Sequence, residues 1–511
     1  MSVDTLRETF HINRISTSDL QDFLTAQTYR PEITQAKNHI LSLKNCLLQA
    51  VCTKPIQQGK SPKYAEKGLK CIKPKNTNDM LVSIDDIDWI DSSTKDQIQK
   101  QKLGYGDIVI TRSGSGTIGR ASIYCYSEEA YTNDHLFVVR PDKADSHYIC
   151  SFLNSFHGQR LLEAGVSGST GQLNLSNEHI KSIPLFRPDD KAQKYIGDKI
   201  RQAEQLRTWA KLLRTSVDDH LNSLNLPINE PPALLNRVSA QTMEDRLDPR
   251  PYRTHYLCLV HEIEKLPHDS ISALVELASG CPVSSNDFLE NSGIPLVRIR
   301  NIGFDDFIGL DTGVSQDVYQ DATKYQAKDK MIVVGMDGIF RSQFFISDEL
   351  PMLVNQRVAM LSPQNIRGEL LTHWLNRPEG QMQLNQWAVK TTVEHTSLSD
   401  IGRVLIPRLD KSLENKLADY LLNARLAYRY AKFLTQVAKT LVEALIEGQL
   451  TEQQLIQAQQ ALEDGDNSLD QAIISKLSAE GYAIEGATPL FSDVDELYSL
   501  LEDAAQAEAE E

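Results

Sequence analysis

No run of apolar residues in this 511-residue chain approaches the roughly 20 needed to cross a bilayer. The opening stretch, MSVDTLRETFHINRIST, lacks the apolar core of an export signal, so a cytoplasmic location is expected. Cysteine is sparse and scattered: Cys46, Cys52, Cys71, Cys125, Cys150, Cys258 and Cys281, an odd number with no C-x-x-C pair. That pattern speaks for free thiols in a reducing compartment and against a structural zinc. Sequence signatures of catalysis are also missing. There is no G-x-S-x-G elbow, no H-E-x-x-H and no G-x-x-x-x-G-K-[ST] loop. The twelve histidines sit at no metal-ligand spacing that recurs. No catalytic residue, metal ligand or bound cofactor is expected.

Charge is present but uneven. The net charge is −16, and fifteen acidic residues against Lys476 put −14 of it after residue 450. Residues 1–450 are therefore close to neutral, at −2. Between Lys37 and Lys75 nine lysines face one acid, Glu66. A local basic patch, rather than the global sum, marks a phosphate-binding surface.

The chain is also written twice, with a period of about 222 residues. Leu153-Asn154-x-x-x-Gly158-Gln159 recurs as Leu375-Asn376-x-x-x-Gly380-Gln381, and Tyr29-Arg30 recurs as Tyr252-Arg253. Pro141 matches Pro363, and LNLSNEHIKSIPL matches TSLSDIGRVLIPR, with Ser176 on Ser399 and Pro184 on Pro407. Each repeat opens with short Val- and Ile-rich runs bounded by turn residues, the grammar of strands, and closes on a long helix. In the second helix Leu413, Leu417, Tyr420, Ala424, Ala427, Ala431, Leu434, Ala438, Leu441 and Leu445 follow steps of three and four, a heptad seam. Ile196, Ala203, Leu206, Ala210, Leu213, Val217 and Leu224 do so less strictly in the first. Small residues at matching seam positions favour close, antiparallel pairing of two rods of roughly 54 Å.

The expected fold is therefore α+β: two tandem mixed α/β domains separated by two long helices in an antiparallel coiled coil, related by a pseudo-two-fold axis. The expected boundaries are 1–188 for the first domain, 189–224 for its helix and 225–236 for a Pro-rich linker. The second domain takes 237–409, its helix 410–449, and an acidic extension 450–511, to which no role is given. One stretch invites another reading. GDIVITRSGSGTIGR, residues 106–120, contains G-x-G-x-x-G after a strand, the dinucleotide-binding fingerprint. However, the matching stretch KDKMIVVGMDGIFRSQFF keeps only Gly335 and Gly338. The segment that follows, RASIYCY, reads as a strand rather than the helix a pyrophosphate site requires. Strand, Gly-rich loop, strand is a hairpin.

The ordered set of GDIVITRSGSGTIGR, LNSFHGQRLL with LNRPEGQMQL, LNLSNEHIKSIPLFRP with TSLSDIGRVLIPRL, and a long helix closing each repeat resembles the DNA-specificity subunit of type I restriction-modification systems, over about residues 10–450. The resemblance implies a non-catalytic reader of double-stranded DNA. Each globular domain would be a target-recognition domain for half of a bipartite target, and the helices would fix the gap. It also implies docking of two methyltransferase subunits, with restriction/translocase subunits joining in some systems. S-adenosylmethionine, ATP and Mg are then expected on those partners. Base edges are read by Arg, Lys, Asn, Gln, Ser and Thr on loops. The candidates in the first domain are Lys60, Lys63, Arg112, Ser113, Ser115, Thr117 and Arg120. Those in the second are Ser284, Ser285, Asn286, Arg298, Arg300, Asn301, Arg341 and Gln343. The Leu-Asn-x-x-x-Gly-Gln motifs are expected to pack rather than touch DNA. The sequence departs from the family pattern at Asn133-Asp134-His135, where the second repeat has the more usual Asn355-Gln356-Arg357. Two rival readings are a nucleotide-binding enzyme built on Gly114–Gly119 and a coiled-coil adaptor that binds only protein.

Overall fold

A computed structural model describes residues 26–510, with 17 and 20, apart from positions 79, 115, 169–172, 230, 232, 234, 245, 391 and 392. The chain divides into two compact units, 1–206 with 430–511, and 207–429.

The Val- and Ile-rich runs become strands buried at every position, as in Ile108–Thr111, Leu136–Val139 and Ile332–Gly335. A strand covered on both faces reads as a continuous apolar run rather than an alternation. In the first unit they form a four-stranded antiparallel sheet ordered Gln57–Gln58, Leu136–Val139, Ile108–Thr111, Ala121–Ile123. In the second unit the same order is built from Val275–Ser279, Val358–Pro363, Ile332–Gly335 and Ser342–Phe344. A helix pair backs each sheet: Ser146–Asn154 with Phe156–Glu163, and Gly368–Asn376 with Pro378–Trp387.

The repeat holds, but one part of the expected alignment slips. The short helices Asn177–Ser182 and Leu398–Arg403 are capped by Ser176 and Ser397. The strands that follow are Pro184–Phe186 and Leu405–Pro407. Ser176 therefore corresponds to Ser397 rather than Ser399, and Pro184 to Leu405 rather than Pro407. An N-cap is defined by the hydroxyl that accepts the backbone N–H two or three residues on, and Ser397 does this for Asp400. Matching by proline displaced the alignment by two residues.

The long helices are Asp190–Asn222, of 33 residues, and Lys411–Ile446, of 36. Both start on an aspartate cap, the Asp189 carboxylate accepting from Lys191 N at 2.9 Å and that of Asp410 from Ser412 N at 2.9 Å. They stop at residues with left-handed backbone, Asn225 (φ 52°) and Gly448 (φ 72°), as helix C-termini often do. Ile196, Ala203, Leu206, Ala210, Val217, Leu417, Ala424, Ala431, Leu434, Ala438 and Leu441 are all buried, and Leu213 is half-buried. In the second unit Val217, Leu221, Leu417, Ala418 and Leu421 share one core with the sheet and the helix pair. The unit boundary falls inside both helices, at 206/207 and 429/430.

The acidic residues after 450 are not a separate extension. They form helices Glu452–Glu463, Ser468–Ile474 and Val494–Glu510 within the first unit. Leu455, Ile474, Leu477, Phe491 and Leu497 are buried there. Their acidic composition hid an apolar stripe that the fold uses.

Candidate nucleic-acid interface

In the first unit the stretch 106–120 is a hairpin. Ile108 pairs with Ile123 and Ile110 with Ala121, antiparallel, and Thr111 N donates to Arg120 O at 2.9 Å. Gly114, Gly116 and Gly119 have φ of 146°, 70° and 81°, so they shape the turn. No helix follows them, which removes the pyrophosphate reading. The loop is pinned at several points. Arg112 N donates to His135 O at 2.8 Å, and Leu175 N donates to Arg112 O at 2.9 Å. The Ser113 hydroxyl lies 2.6 Å from His135 Nδ1. The Arg120 guanidinium donates to Asn78 Oδ1 at 2.7 Å and to Gly116 O at 3.1 Å. Thr117 is half-buried, and Ser115 lies outside the described residues.

The second unit repeats this plan with different side chains. Met336 N donates to Arg357 O, and Thr396 N to Met336 O. Arg357 makes an ion pair with Asp337 at 3.4 Å, and Asp337 also meets His395 Nδ1 at 2.5 Å. His135 and Arg357 thus do the same work, each gripping the second residue of its loop. The departure seen in the sequence is compensated on the loop it faces. The sequence flagged these positions, but it carried no sign that they contact the loop.

Both loops are anchored from behind by the Leu-Asn-x-x-x-Gly-Gln motif. Asn154 Nδ2 donates to Ala121 O at 2.8 Å, and Asn376 Nδ2 to Ser342 O at 2.9 Å. Gln159 Nε2 donates to Leu153 O and Gly119 O, and Gln381 Nε2 to Leu375 O and Phe340 O. The motif ties the helix pair to the strand that leaves the loop, so its role is packing. Its glycine permits that approach: a Cβ on Gly158 would lie 1.9 Å from Phe152 O, and one on Gly380 2.2 Å from Trp374 O. Gly380→Ala is expected to cost about 1–3 kcal/mol or more by overpacking against backbone. Gly116→Ala, with open space around it, should cost about 1 kcal/mol through its positive φ alone. Urea denaturation of the two variants checks the order.

Four of the nine lysines in the basic run are paired by the fold. Lys63 pairs with Asp91 at 2.8 Å, Lys73 with Asp88 at 3.0 Å, Lys75 with Asp86 at 2.9 Å, and Lys70 with Glu128. Asp91 and Asp88 are held below the usual carboxylate range by hydrogen bonds from these lysines first of all. The acids come from beyond residue 75, where a count over 37–75 does not look. Lys60 and Lys67 are exposed. Lys60 follows Gly59, whose Cα backs onto Asn133 O, and Gln58 Nε2 donates to Asp134 O at 3.1 Å. Residues 58–60, the turn 133–135 and the loop at 112–113 therefore form one surface.

Two candidates in the second unit are corrected. Asn301 is 1% exposed: its amide accepts from Arg298 N at 2.9 Å and donates to Ile308 O and Gly309 O. It is the counterpart of Asn76, which accepts from Lys73 N at 2.9 Å and donates to Asp86 O. Gln343 is also 1% exposed and is spent on Gly303 O, Phe304 O and Phe344 N. A buried polar side chain must find partners inside the domain, and these two have done so. Arg298 stacks over Phe288 and donates to Thr312 at 2.7 Å. Arg300 is exposed and bonds Asp311 at 2.5 Å. Arg341 lies over the Phe304 ring at 4.8 Å. Ser284, Ser285 and Asn286 are exposed, with Ser284 capping its own turn through Asn286 N.

These features define a protein that presents polar, anchored loops from two versions of one domain. Residues 48–211 match the family model described as type I restriction modification DNA specificity domain. The match spans the first of the two repeats and the start of the first long helix, about a third of the chain. Similar solved structures include the S subunit of a type I restriction-modification system from M. genitalium, at 14% identity over 78% of this chain and 94% of that one, TM-score 0.43. Another is the HsdS subunit from Thermoanaerobacter tengcongensis, at 12% identity over 80% and 97%, TM-score 0.26. No curated protein matches the chain. Among the described residues no helix is long and apolar enough to cross a membrane.

Proposed function

We propose that each repeat reads one half of a bipartite duplex target in a cytoplasmic type I restriction-modification complex, without catalytic activity in this chain. The observation that carries this reading is the double occurrence of a loop pinned by the same backbone bonds and the same Asn and Gln anchors, once in each unit. Lys60, Arg112, Ser113, Thr117 and Arg120 serve the first half-site, with Lys63 and Ser115 beside them. Ser284, Ser285, Asn286, Arg298, Arg300 and Arg341 serve the second.

The long helices act as an antiparallel spacer that sets the gap and docks two methyltransferase subunits. In support, the Arg207 guanidinium lies 5.6 Å from the centre of the Tyr428 ring, and Val217 and Leu221 share a core with Leu417 and Leu421. Early residues of one helix thus go with late residues of the other. S-adenosylmethionine, ATP and Mg belong to the partner subunits, and a restriction/translocase subunit completes the complex.

The test is duplex binding by the chain with its methyltransferase partner, read against salt, together with mapping of methylated adenines. Two half-sites separated by an unread gap are expected, with affinity falling steeply as salt rises. Lys60→Ala should reduce the slope of log K against log salt by about one. Replacing the loop 112–120 should change one half-site only. A single uninterrupted site, or salt-insensitive binding, contradicts the reading.

A further inference from the structure

Three side chains from segments far apart in the sequence converge within the first unit. His39 lies on the helix Pro31–Ser42, His157 opens the helix Phe156–Glu163, and Glu447 directly follows the second long helix. The nitrogen and carboxylate atoms they offer all lie within 4.8 Å of one another. His157 Nε2 is 3.3 Å from Glu447 Oε1, and His39 Nε2 is 3.9 Å from the same oxygen. A tetrahedron of zinc ligands with bonds near 2.0–2.1 Å has edges of about 3.3 Å. One of the three edges therefore has the required length, and the two that involve His39 close with a small rotation of that side chain, which is only half-buried.

Two further features point to a cation. Glu443, one turn before Glu447, lies 2.7 Å from His157 Nδ1 and also accepts from His157 N at 3.2 Å. A carboxylate can only accept, so Nδ1 carries a proton and leaves Nε2 facing Glu447, as a lone pair in the neutral tautomer. Carboxylate-oriented imidazoles of this kind are the usual second layer of a metal site. Nε2 and the carboxylate oxygen 3.3 Å away call for a positive charge between them, supplied by a proton on Nε2 or by a metal ion. The second feature is the Ile446 carbonyl, 3.2 Å from His39 Nε2, whose proton it accepts until an ion takes that proton's place. It stands at the C-terminal end of a 36-residue helix, where unpaired carbonyls and the helix dipole favour positive charge.

We propose that His39, His157 and Glu447 bind one zinc ion, with Glu443 orienting His157 and the Ile446 carbonyl or a water completing the shell. Two imidazoles and one carboxylate form a zinc-type ligand set. The ion links the helix at 31–42, the helix at 156–163 and the end of the second long helix, three segments far apart in the sequence. The three ligands share no short spacing, so no sequence pattern marks them. A second group, Cys125, His147 and Glu204, is a poorer host. Burial pushes its thiol well up and its imidazole down to about 3, and Glu204 already accepts from Tyr105 at 3.0 Å. It serves as the control.

The full-length chain, stripped with chelator, is titrated with Zn2+ by calorimetry and followed by thermal unfolding. Binding of one equivalent with a rise in Tm is expected. His39→Ala and Glu447→Gln, at accessible positions, should each weaken binding by about 100-fold or more and abolish the Tm rise. Glu443→Gln should weaken it by about 10–100-fold, and Cys125→Ser should leave it unchanged. Circular dichroism confirms that each variant is folded. Absence of stoichiometric binding overturns the proposal. So does binding that survives both His39→Ala and Glu447→Gln, or that is lost with Cys125→Ser.

Discussion

Asp470→Ala is expected to lower the Tm of the first unit by about 10 °C or more. Asp470 is 1% exposed and sits on the short helix Ser468–Ile474, in the segment whose composition is most acidic. Its carboxylate accepts from Lys199 Nζ at 2.7 and 2.8 Å, from Tyr195 Oη at 2.5 Å and from Tyr498 Oη at 2.5 Å. Lys199, on the first long helix, is fully buried. Truncating the carboxylate leaves a buried ammonium, a buried phenol at Tyr195 and a half-buried one at Tyr498 without their partner. Breaking a buried ion pair from one side costs about 3–5 kcal/mol, and each abandoned hydroxyl adds about 1–3 kcal/mol. That is a large share of the ~5–15 kcal/mol that holds a domain together, and each kcal/mol moves Tm by about 2–4 °C at this size.

The control is a compensated variant. Asp470→Ala combined with Lys199→Met, Tyr195→Phe and Tyr498→Phe removes donors and acceptor together. Replacing a buried pair by apolar groups is close to neutral, so most of the lost Tm should return. A single Asp470→Ala that costs less than about 1 kcal/mol by calorimetry would mean that the acidic segment is not seated on the first long helix.

If the long helices are the proposed spacer, adding seven residues to both should lengthen the unread gap of the target without altering either half-site. The insertions belong after Leu206 and after Arg429, where the unit boundary crosses each helix. Those positions avoid Arg425, whose buried guanidinium bonds Glu349 at 2.6 Å, and Tyr430, whose ring meets Phe491. Seven helical residues add about 10 Å, close to three base pairs at 3.4 Å each. A whole heptad keeps the seam on one face, with a drift of only about 20°. Insertion into one helix alone throws the seams out of step, and loss of specific methylation is the expected result. Mapping methylated adenines reads both outcomes. A change in half-site sequence after the double insertion would show that the helices do more than space the domains.

Much of this was legible before any coordinates. The duplication, the strand–loop–strand reading of 106–120, the seam positions and the packing role of Leu-Asn-x-x-x-Gly-Gln all follow from patterns local to a few residues or repeated in order. The candidate loop residues were legible only as residue types. Asn301 and Gln343 show the limit, since an amide suited to a base edge is equally suited to close a turn or bond a neighbouring loop. Which of the two occurs depends on burial. The lysines show it again: a count of nearby sequence cannot see Asp86, Asp88, Asp91 and Glu128 arriving from elsewhere.

What the sequence determined by itself was periodicity: two copies of one domain, two amphipathic rods, and the absence of any motif with catalytic spacing. These depend on contacts between residues close in the chain, or on resemblance between its halves. Only the tertiary structure decided the long-range pairings. It seated the acidic segment on the first unit through Asp470 and Lys199, gave His135 and Arg357 the same task, and gathered His39, His157 and Glu447 at the end of a helix. Charge neutralisation, burial and ligand geometry are properties of neighbours in space, and such neighbours lie 22 residues apart at Ser113 and His135 and 271 at Lys199 and Asp470.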